Sequence, residues 1–215
     1  MKIIENTKRF LGNRAINHHL KSQKRTMISC NIQSATTIGI LFNATHAVAF
    51  DIVKDLVKDM EVYKASILAL GFVDSKQLID HYLYRKGFDF FTQNDLNWYG
   101  KPTSENVDAF IKKPFDILLD LSLDNPFPIK YVIACSQARF KSGKYSSDQE
   151  YLDFMIDIEK EKEAMNDIHS ELAKDITRTR IKNREVEEIV DQKVQTEIQM
   201  NFLIRQLIHY LSKIK

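Results

Sequence analysis

The chain has 215 residues, of which 44% are hydrophobic and 28% are charged. These proportions are typical of a globular protein with a real core, and they exclude a mainly disordered chain, a collagen-like chain and a disulfide-stapled miniprotein. The formal net charge of +2 conceals an asymmetry, because residues 1–26 have a net charge of +6 and the remaining residues one of −4. Such a separation of charge is informative about partners rather than about fold.

No part of the sequence is typical of a membrane span or a secretory signal. No run approaches the ~20 apolar residues that cross a bilayer, and the first residues lack an apolar run followed by a small-residue cleavage site. The two cysteines, Cys30 and Cys135, belong to no metal or redox spacing and are predicted to be buried thiols. We therefore expect a cytoplasmic protein with no cofactor and no metal site.

From residue 36 to about residue 158 the pattern alternates between strands and helices. Alternation of this kind predicts parallel strand pairing with right-handed crossovers. The expected fold class is α/β, a small doubly wound and mainly parallel sheet with a basic N-terminal helix and a charged C-terminal helical hairpin. The predicted strands lie near residues 37–42, 66–72, 88–91, 116–121, 140–145 and 151–158.

The predicted helices between these strands have recognisable start and stop residues. The first is amphipathic and runs to Met60, with Thr45 as its N-cap. The second begins at Asp74 or Ser75 and stops at Gly87. Two further helices are expected over residues 105–112 and over residues 128–136, the latter with proline in its first turn.

The C-terminal third has a different character. No glycine follows Gly143, and residues 157–197 contain 20 charged side chains. One helix over the whole stretch would be roughly 85 Å long, so a hairpin that turns near Asn183 and packs its last segment on the sheet is the more economical prediction. The predicted organisation is a basic arm over residues 1–26, an α/β domain over residues 27–158 completed by a helix over residues 198–215, and a charged helical insertion over residues 159–197.

Four segments together resemble a family of bacterial cytoplasmic proteins of unknown function. They are TIGILFNAT (residues 37–45), LNWYGKP (96–102), FDILLDLS (115–122) and ARFK (138–141). The resemblance covers about residues 5–158 and the closing IHYL (208–211), leaves residues 159–197 unmatched and implies no activity. A fainter likeness, in the order of the last two segments, is to the N-terminal half of heptosyltransferase-type glycosyltransferases, and it implies only the fold class.

Polar side chains follow several predicted strands, where ligands bind in open parallel sheets. The ligand-pocket candidates are Asn43, Thr45, His46, Asp74, Ser122 and Asp124. A pairing of His46 with Asp74 or Asp124 would suit acid–base chemistry, whereas helix caps and loop polarity are the alternative explanation. The glycine-rich fingerprints of dinucleotide and phosphate binding are absent, and no catalytic residue is assigned.

The single tryptophan lies in the predicted loop over residues 94–102, beside Tyr99 and Lys101. We expect Trp98 to be a buried plug at one end of the sheet, because tryptophan in a small domain is usually well buried. The alternative is a stacking platform for a base or a sugar.

The basic arm is the strongest functional signal, because phosphate backbones and anionic lipid surfaces both attract such segments. The nucleic-acid-binding candidates are Lys8, Arg9, Arg14, Lys21, Lys24 and Arg25 in the arm, with Arg178, Arg180, Lys182 and Arg184 near the predicted hairpin tip. A membrane surface and packing of the arm on the acidic body are the alternatives.

The sequence therefore leaves two functional hypotheses. The leading one is a non-catalytic cytoplasmic binding protein that contacts RNA or the ribosome through its arm, with a protein partner at the helical hairpin as a further option. The alternative is a small enzyme of glycosyltransferase-like ancestry that binds a nucleotide-sugar or phosphate ligand. The second needs a pocket where Asn43, His46, Asp74 and Ser122 converge, and the first needs a continuous positive surface.

Overall fold

The computed structural model describes residues 2–22, 25–78, 82, 86–147, 151–158 and 184–214. Its strands are β1 (Thr37–Asn43), β2 (Ser66–Val73), β3 (Phe88–Thr92), β4 (Ile117–Asp120), β5 (Phe140–Lys144) and β6 (Phe154–Ile156). Its helices are α1 (Lys2–Ser22), α2 (Ala47–Asp59), α3 (Glu105–Lys112), α4 (Phe127–Cys135) and α5 (Arg184–Leu211). Short 3-10 turns occupy Met60–Tyr63 and Gln93–Asp95.

The strands form one six-stranded sheet in the order β3-β2-β1-β4-β5-β6. Every neighbouring pair is parallel, which confirms the predicted doubly wound α/β class. The chain builds the sheet outward from β1 in one direction and then outward from β4 in the other. The order therefore reverses between β1 and β4, and the carboxyl ends of these two strands flank the point where open α/β sheets bind ligands.

Helices cover both faces of the sheet, which explains the continuous apolar runs of the central strands. On one face, Ile38, Ile40 and Phe42 of β1 pack in a core with α2 and α5. On the other face, Leu41 and neighbouring strand residues pack with α1, α3 and α4. Each fully buried side chain of this size contributes about 1.5–3 kcal/mol, so both helical layers are needed for a stable domain.

α1 lies along α4 in the same direction. A Cβ atom at Gly12 would be 2.5 Å from the Phe127 ring, at the first residue of α4, so only glycine allows this close approach. Seven residues further on, the His19 ring nitrogen is 3.1 Å from the Cys135 carbonyl oxygen, at the last residue of α4. Between them, Ile16 is buried. The ten residues of α1 before Gly12 therefore project beyond the N-terminus of α4.

Asp116 ties the amino ends of three strands together. Its Oδ2 accepts the backbone N–H groups of Thr36 and Thr37 at 2.9 and 3.1 Å and both threonine hydroxyls at 2.7 and 3.2 Å. Its Oδ1 accepts a 3.0 Å hydrogen bond from Arg139, next to β5. Burial alone would raise the pKa of Asp116, but the hydrogen bonds from Thr36 and Thr37 hold it below its ordinary value.

Three local predictions need correction or restriction. Thr45 is not the N-cap of α2, because His46 occupies that position and makes no side-chain cap, while Thr45 bonds to Asn43 instead. Cys135 is buried as predicted, whereas Cys30 is only half-buried. The helix expected to begin at Asp74 or Ser75 does not begin there, because residues 74–77 form bends. Residues 79–81 and 83–85 of that expected helix, and the hairpin turn near Asn183, lie outside the described residues.

The last part of the C-terminal segment packs on the sheet, as predicted for the final segment of the hairpin. Met200, Leu203, Leu207 and Leu211 of α5 belong to the same core as β1. The helix begins at Arg184, before the position 198 where the domain was expected to resume. Within the part of the chain that the structure describes, no helix is both long and apolar enough to cross a bilayer.

We predict that Asp116→Asn lowers the free energy of unfolding by about 1–3 kcal/mol at pH 7, because the amide cannot accept all the bonds of the carboxylate. The folded pKa is lowered, so the stabilisation is complete above the unfolded value of 3.8 and is lost as the pH falls through the folded pKa. Urea unfolding of wild type and variant at pH 7 and near pH 3 measures this difference.

The control is Asp51→Asn, because the Asp51 carboxylate belongs to an i,i+3 surface ion pair with Lys54. That change should alter stability by less than about 0.5 kcal/mol at either pH. An Asp116→Asn protein as stable as wild type at pH 7 would contradict the role given to Asp116.

Candidate functional site

Four of the six ligand-pocket candidates lie together where the strand order of the sheet reverses, between β1 and β4, a position we call the switch point. Asn43, His46, Ser122 and Asp124 line one cavity of about 350 Å³ between the carboxyl ends of β1 and β4 and the helix α5. The α5 side contributes polar residues that include Gln192, Gln195, Thr196 and Gln199. The volume lies within the range of small-molecule pockets, about 300–1,000 Å³.

The other two candidates, Thr45 and Asp74, do not line this cavity, but they belong to a hydrogen-bond network that supports its wall. Asn43 Nδ2 donates to both carboxylate oxygens of Asp124 at 3.1 and 3.0 Å. Thr45 donates to Asn43 Oδ1 from its hydroxyl at 2.6 Å and from its backbone at 3.0 Å. The backbone N–H of Asp74 donates to the Thr45 hydroxyl at 3.0 Å, and Gln93 donates to the Asp74 carboxylate at 2.8 Å.

The polarity of the cavity indicates which ligands it suits. Its lining combines amides and hydroxyls with His46 and the Asp124 carboxylate, and contains neither lysine nor arginine among the described residues. Amides and hydroxyls can donate to and accept from a hydroxylated molecule, whereas a phosphate would meet a carboxylate without a compensating cation. The cavity therefore suits a neutral hydroxylated ligand better than a phosphorylated one.

A buried carboxyl, Asp120, lies at the end of β4 just before this cavity. It is 1% exposed and accepts the backbone N–H of Ser122 at 3.0 Å. Burial raises the pKa of Asp120 to about 6, against the lowering effect of the bond from Ser122. Gly143 makes room for it, because a Cβ at that position would be 3.0 Å from the Asp120 Cβ.

Lys141 is a second buried ionisable group, 1% exposed, on β5. Its ammonium donates to the Ala134 carbonyl at 3.1 Å, at the C-terminal end of α4 where free carbonyls favour a cation. Burial, and next the charge of Arg25, lower the pKa of Lys141 to about 7. In the sequence, Asp120 appears as a single acid after three apolar strand residues, and Lys141 as one of two lysines in β5, so neither pattern indicates a buried charge.

We predict that Asp120→Asn raises the free energy of unfolding by roughly 1–3 kcal/mol at pH 7, since the folded pKa exceeds the unfolded value of 3.8. The charged carboxylate costs most above pH 6, and its cost shrinks to zero below pH 3.8. Denaturant unfolding at pH 7.5, 5 and 3.5 should show a gain that fades with acid. A destabilised variant at pH 7.5 would contradict this assignment.

The arm candidates on α1 remain accessible. Lys8, Arg9, Arg14 and Lys21 are exposed, and none makes an ion pair within the described residues. Arg25, by contrast, pairs with Asp153 and is largely buried. Lys24, Arg178, Arg180 and Lys182 lie outside the described residues, and only the backbone of Arg184 is described.

The outer face of α1 carries an aromatic ring between polar and basic groups. Phe10, Arg14, Asn17 and Lys21 are spaced at i, i+4, i+7 and i+11, so they share the side of the helix opposite the face that packs on α4. Phe10 is 65% exposed. We call this row the outer strip.

Past the end of the outer strip the positive charge continues but is partly neutralised. Arg25 and Arg139 line a groove of about 460 Å³ beside Pro114. Both guanidinium groups are paired, with Asp153 and Asp116 respectively. The continuous positive surface required by the binding hypothesis therefore consists mainly of α1 itself.

The prediction that Trp98 is a buried plug is wrong, because its side chain is 61% exposed. The backbone of the loop covers the core instead, and a Cβ at Gly100 would be 3.2 Å from the Phe127 ring. Asn97 Oδ1 fixes the loop by accepting the backbone N–H groups of Tyr99 and Lys101 at 3.2 and 2.9 Å. The tight turn at Gly100 leaves the indole outside, edge-on to Tyr99 at 5.5 Å.

Among the described residues, no group of three or more histidine, cysteine or acidic side chains is placed to hold a metal ion. A protein-family model described as a family of unknown function (DUF6913) matches residues 8–178. The match extends past residue 158 into the charged segment and stops before residues 208–211. No curated protein matches the chain. No solved structure matches it either.

Proposed function

Since the chain belongs to this family of unknown function, we propose a function from geometry alone: it is a non-catalytic binding protein that contacts RNA through the outer strip of α1 and through the exposed Lys8 and Arg9 of the same helix. The observation that supports the proposal best is the exposure of four basic side chains on a helix that is anchored to α4. An anchored helix presents its cations in fixed positions, so binding loses little conformational entropy.

The neighbouring side chains favour nucleic acid over a membrane surface. Among the α1 residues whose side chains are described, the large apolar ones that are exposed are Ile4, Phe10 and Leu20, which point to different sides of the helix and form no continuous apolar stripe. Asn6, Asn13 and Asn17 are exposed instead. Phosphate contacts from cations, amide hydrogen bonds and an exposed ring are what single-stranded RNA engages.

We predict that the quadruple change Lys8→Gln, Arg9→Gln, Arg14→Gln and Lys21→Gln weakens RNA binding and flattens its salt dependence. For single strands the slope of log K against log salt falls by ~0.7 for each lost phosphate contact. Fluorescence anisotropy with a mixed-sequence 20-mer at two salt concentrations measures both effects. The melting temperature should stay within about 2 °C of wild type, because these side chains are exposed.

The matched control replaces four exposed lysines elsewhere, Lys58, Lys64, Lys76 and Lys86, by Gln. It makes the same charge change and should leave the salt slope intact. Salt-independent or undetectable binding by wild type would reject the proposal, and so would equal losses in both variants. Binding to anionic lipid vesicles without binding to RNA would assign the arm to a membrane surface.

A second candidate function is binding of a small hydroxylated ligand, such as a nucleoside or a sugar, in the switch-point cavity. The observation that favours it is the position of Asn43, His46 and Ser122 around one cavity between β1 and β4. The glycosyltransferase-like alternative predicted a nucleotide-sugar or phosphate ligand. The ligand proposed for this cavity is a sugar or a nucleoside without a phosphate. A protein partner at the predicted helical hairpin stays a prediction from the sequence.

For this candidate we predict that saturating nucleoside or monosaccharide raises the melting temperature, because a ligand that binds only the folded state stabilises it. Thr196→Trp should fill the cavity and abolish the shift, whereas Thr196→Ser should keep it. Adding a 5′-phosphate should not strengthen binding, since the described lining has no cation. A panel that leaves the wild-type melting temperature unchanged would remove this candidate.

A further inference from the structure

A groove of about 460 Å³ lies between α1 and the first half of α4. It is distinct from the switch-point cavity and borders the outer strip, because Asn17 belongs to both. From α1 it takes Arg9, Asn13 and Asn17, and from α4 it takes Phe127 and Lys130. Its remaining wall includes Asn125 and Tyr151.

The groups around this groove belong to three chemical kinds. Asn13, Asn17 and Asn125 bring amides from two sides, and each amide can both donate and accept a hydrogen bond. Phe127 and Tyr151 bring aromatic rings. Arg9 and Lys130 bring positive charge from α1 and α4. Amides with aromatic rings suit a flat heterocycle, and the cations suit the phosphates on either side of it.

One amide has unused hydrogen-bonding capacity. The Asn125 Oδ1 atom is buried and has no hydrogen-bond partner among the residues that the structure describes. A buried acceptor without a donor is costly. A rotation of the Asn125 amide that turns Oδ1 toward the groove would let an N–H group of a ligand supply the missing hydrogen bond. Every RNA base carries such an N–H group on its pairing edge.

We propose that this groove receives one unstacked RNA base, whose pairing edge bonds to the asparagine amides while the adjoining phosphates meet Arg9 and Lys130. The inference rests on the proposed RNA contact of the outer strip and adds recognition of a base to it. The volume is that of a small-molecule pocket, which fits a single nucleotide and is too small for a duplex. Splayed bases of single strands are the usual target of such pockets.

The test uses five RNA decamers. One is fully abasic and carries only the sugar–phosphate backbone, and four carry a single base type, A, C, G or U, alternating with abasic positions. Wild type should bind at least one base-bearing decamer about tenfold more tightly than the abasic one in fluorescence anisotropy. Asn125→Leu and, separately, Asn13→Ala should reduce this ratio to within about twofold and leave affinity for the abasic decamer unchanged.

The triple change Lys8→Gln, Arg14→Gln and Lys21→Gln is the matched control, because these cations lie outside the groove. It should weaken all five decamers alike and keep the ratio. Tight wild-type binding with equal affinity for abasic and base-bearing decamers would overturn the groove proposal and leave the outer strip intact. No binding to any decamer at low salt would overturn both. A ratio that survives in both asparagine variants, with melting temperatures unchanged, would place base recognition elsewhere.

Discussion

The architecture depends on how Asp116 fixes the register at the amino ends of the central strands. Its carboxylate gathers the backbone and side chains of Thr36 and Thr37 as β1 begins, and it binds Arg139 as β5 begins. Parallel strands that start level at one edge finish level at the other. Asn43 and Ser122 are therefore brought to the same cavity, although they are far apart in sequence.

Much of the sheet could be predicted because its physics is local. Strands buried on both faces need runs such as Thr37–Asn43, and helices between them must show an apolar stripe. Position at the carboxyl edge follows from parallel pairing alone, so Asn43, His46, Ser122 and Asp124 could be named together. Thr45 failed as an N-cap because a partner two residues away, Asn43, competes for its hydroxyl.

The features that could not be predicted from the sequence depend on contacts between residues that are distant along the chain. Gly12 weakens a helix on propensity, yet its lack of a side chain allows α1 to rest on Phe127. Trp98 is exposed because Gly100 brings backbone, not the indole, onto the core. Asp120 and Lys141 are charged residues within strands, and their burial depends on Gly143 and on the end of α4. The hydrophobic periodicities of strands and helices, 2 and 3.6 residues, carry no information about these long-range contacts.

The parallel placement of α1 on α4 has a consequence for the electric field of the molecule. A helix has a partial positive charge at its N-terminus, and helices that follow parallel strands begin at the carboxyl edge of the sheet. α2 and α4 both begin there, and α1 points the same way, with Lys8 and Arg9 on its projecting turns. The backbone dipoles thus reinforce the side-chain charges instead of opposing them. A polyanion that binds α1 as proposed would therefore meet helix dipoles and side-chain charges of the same sign at this end of the molecule.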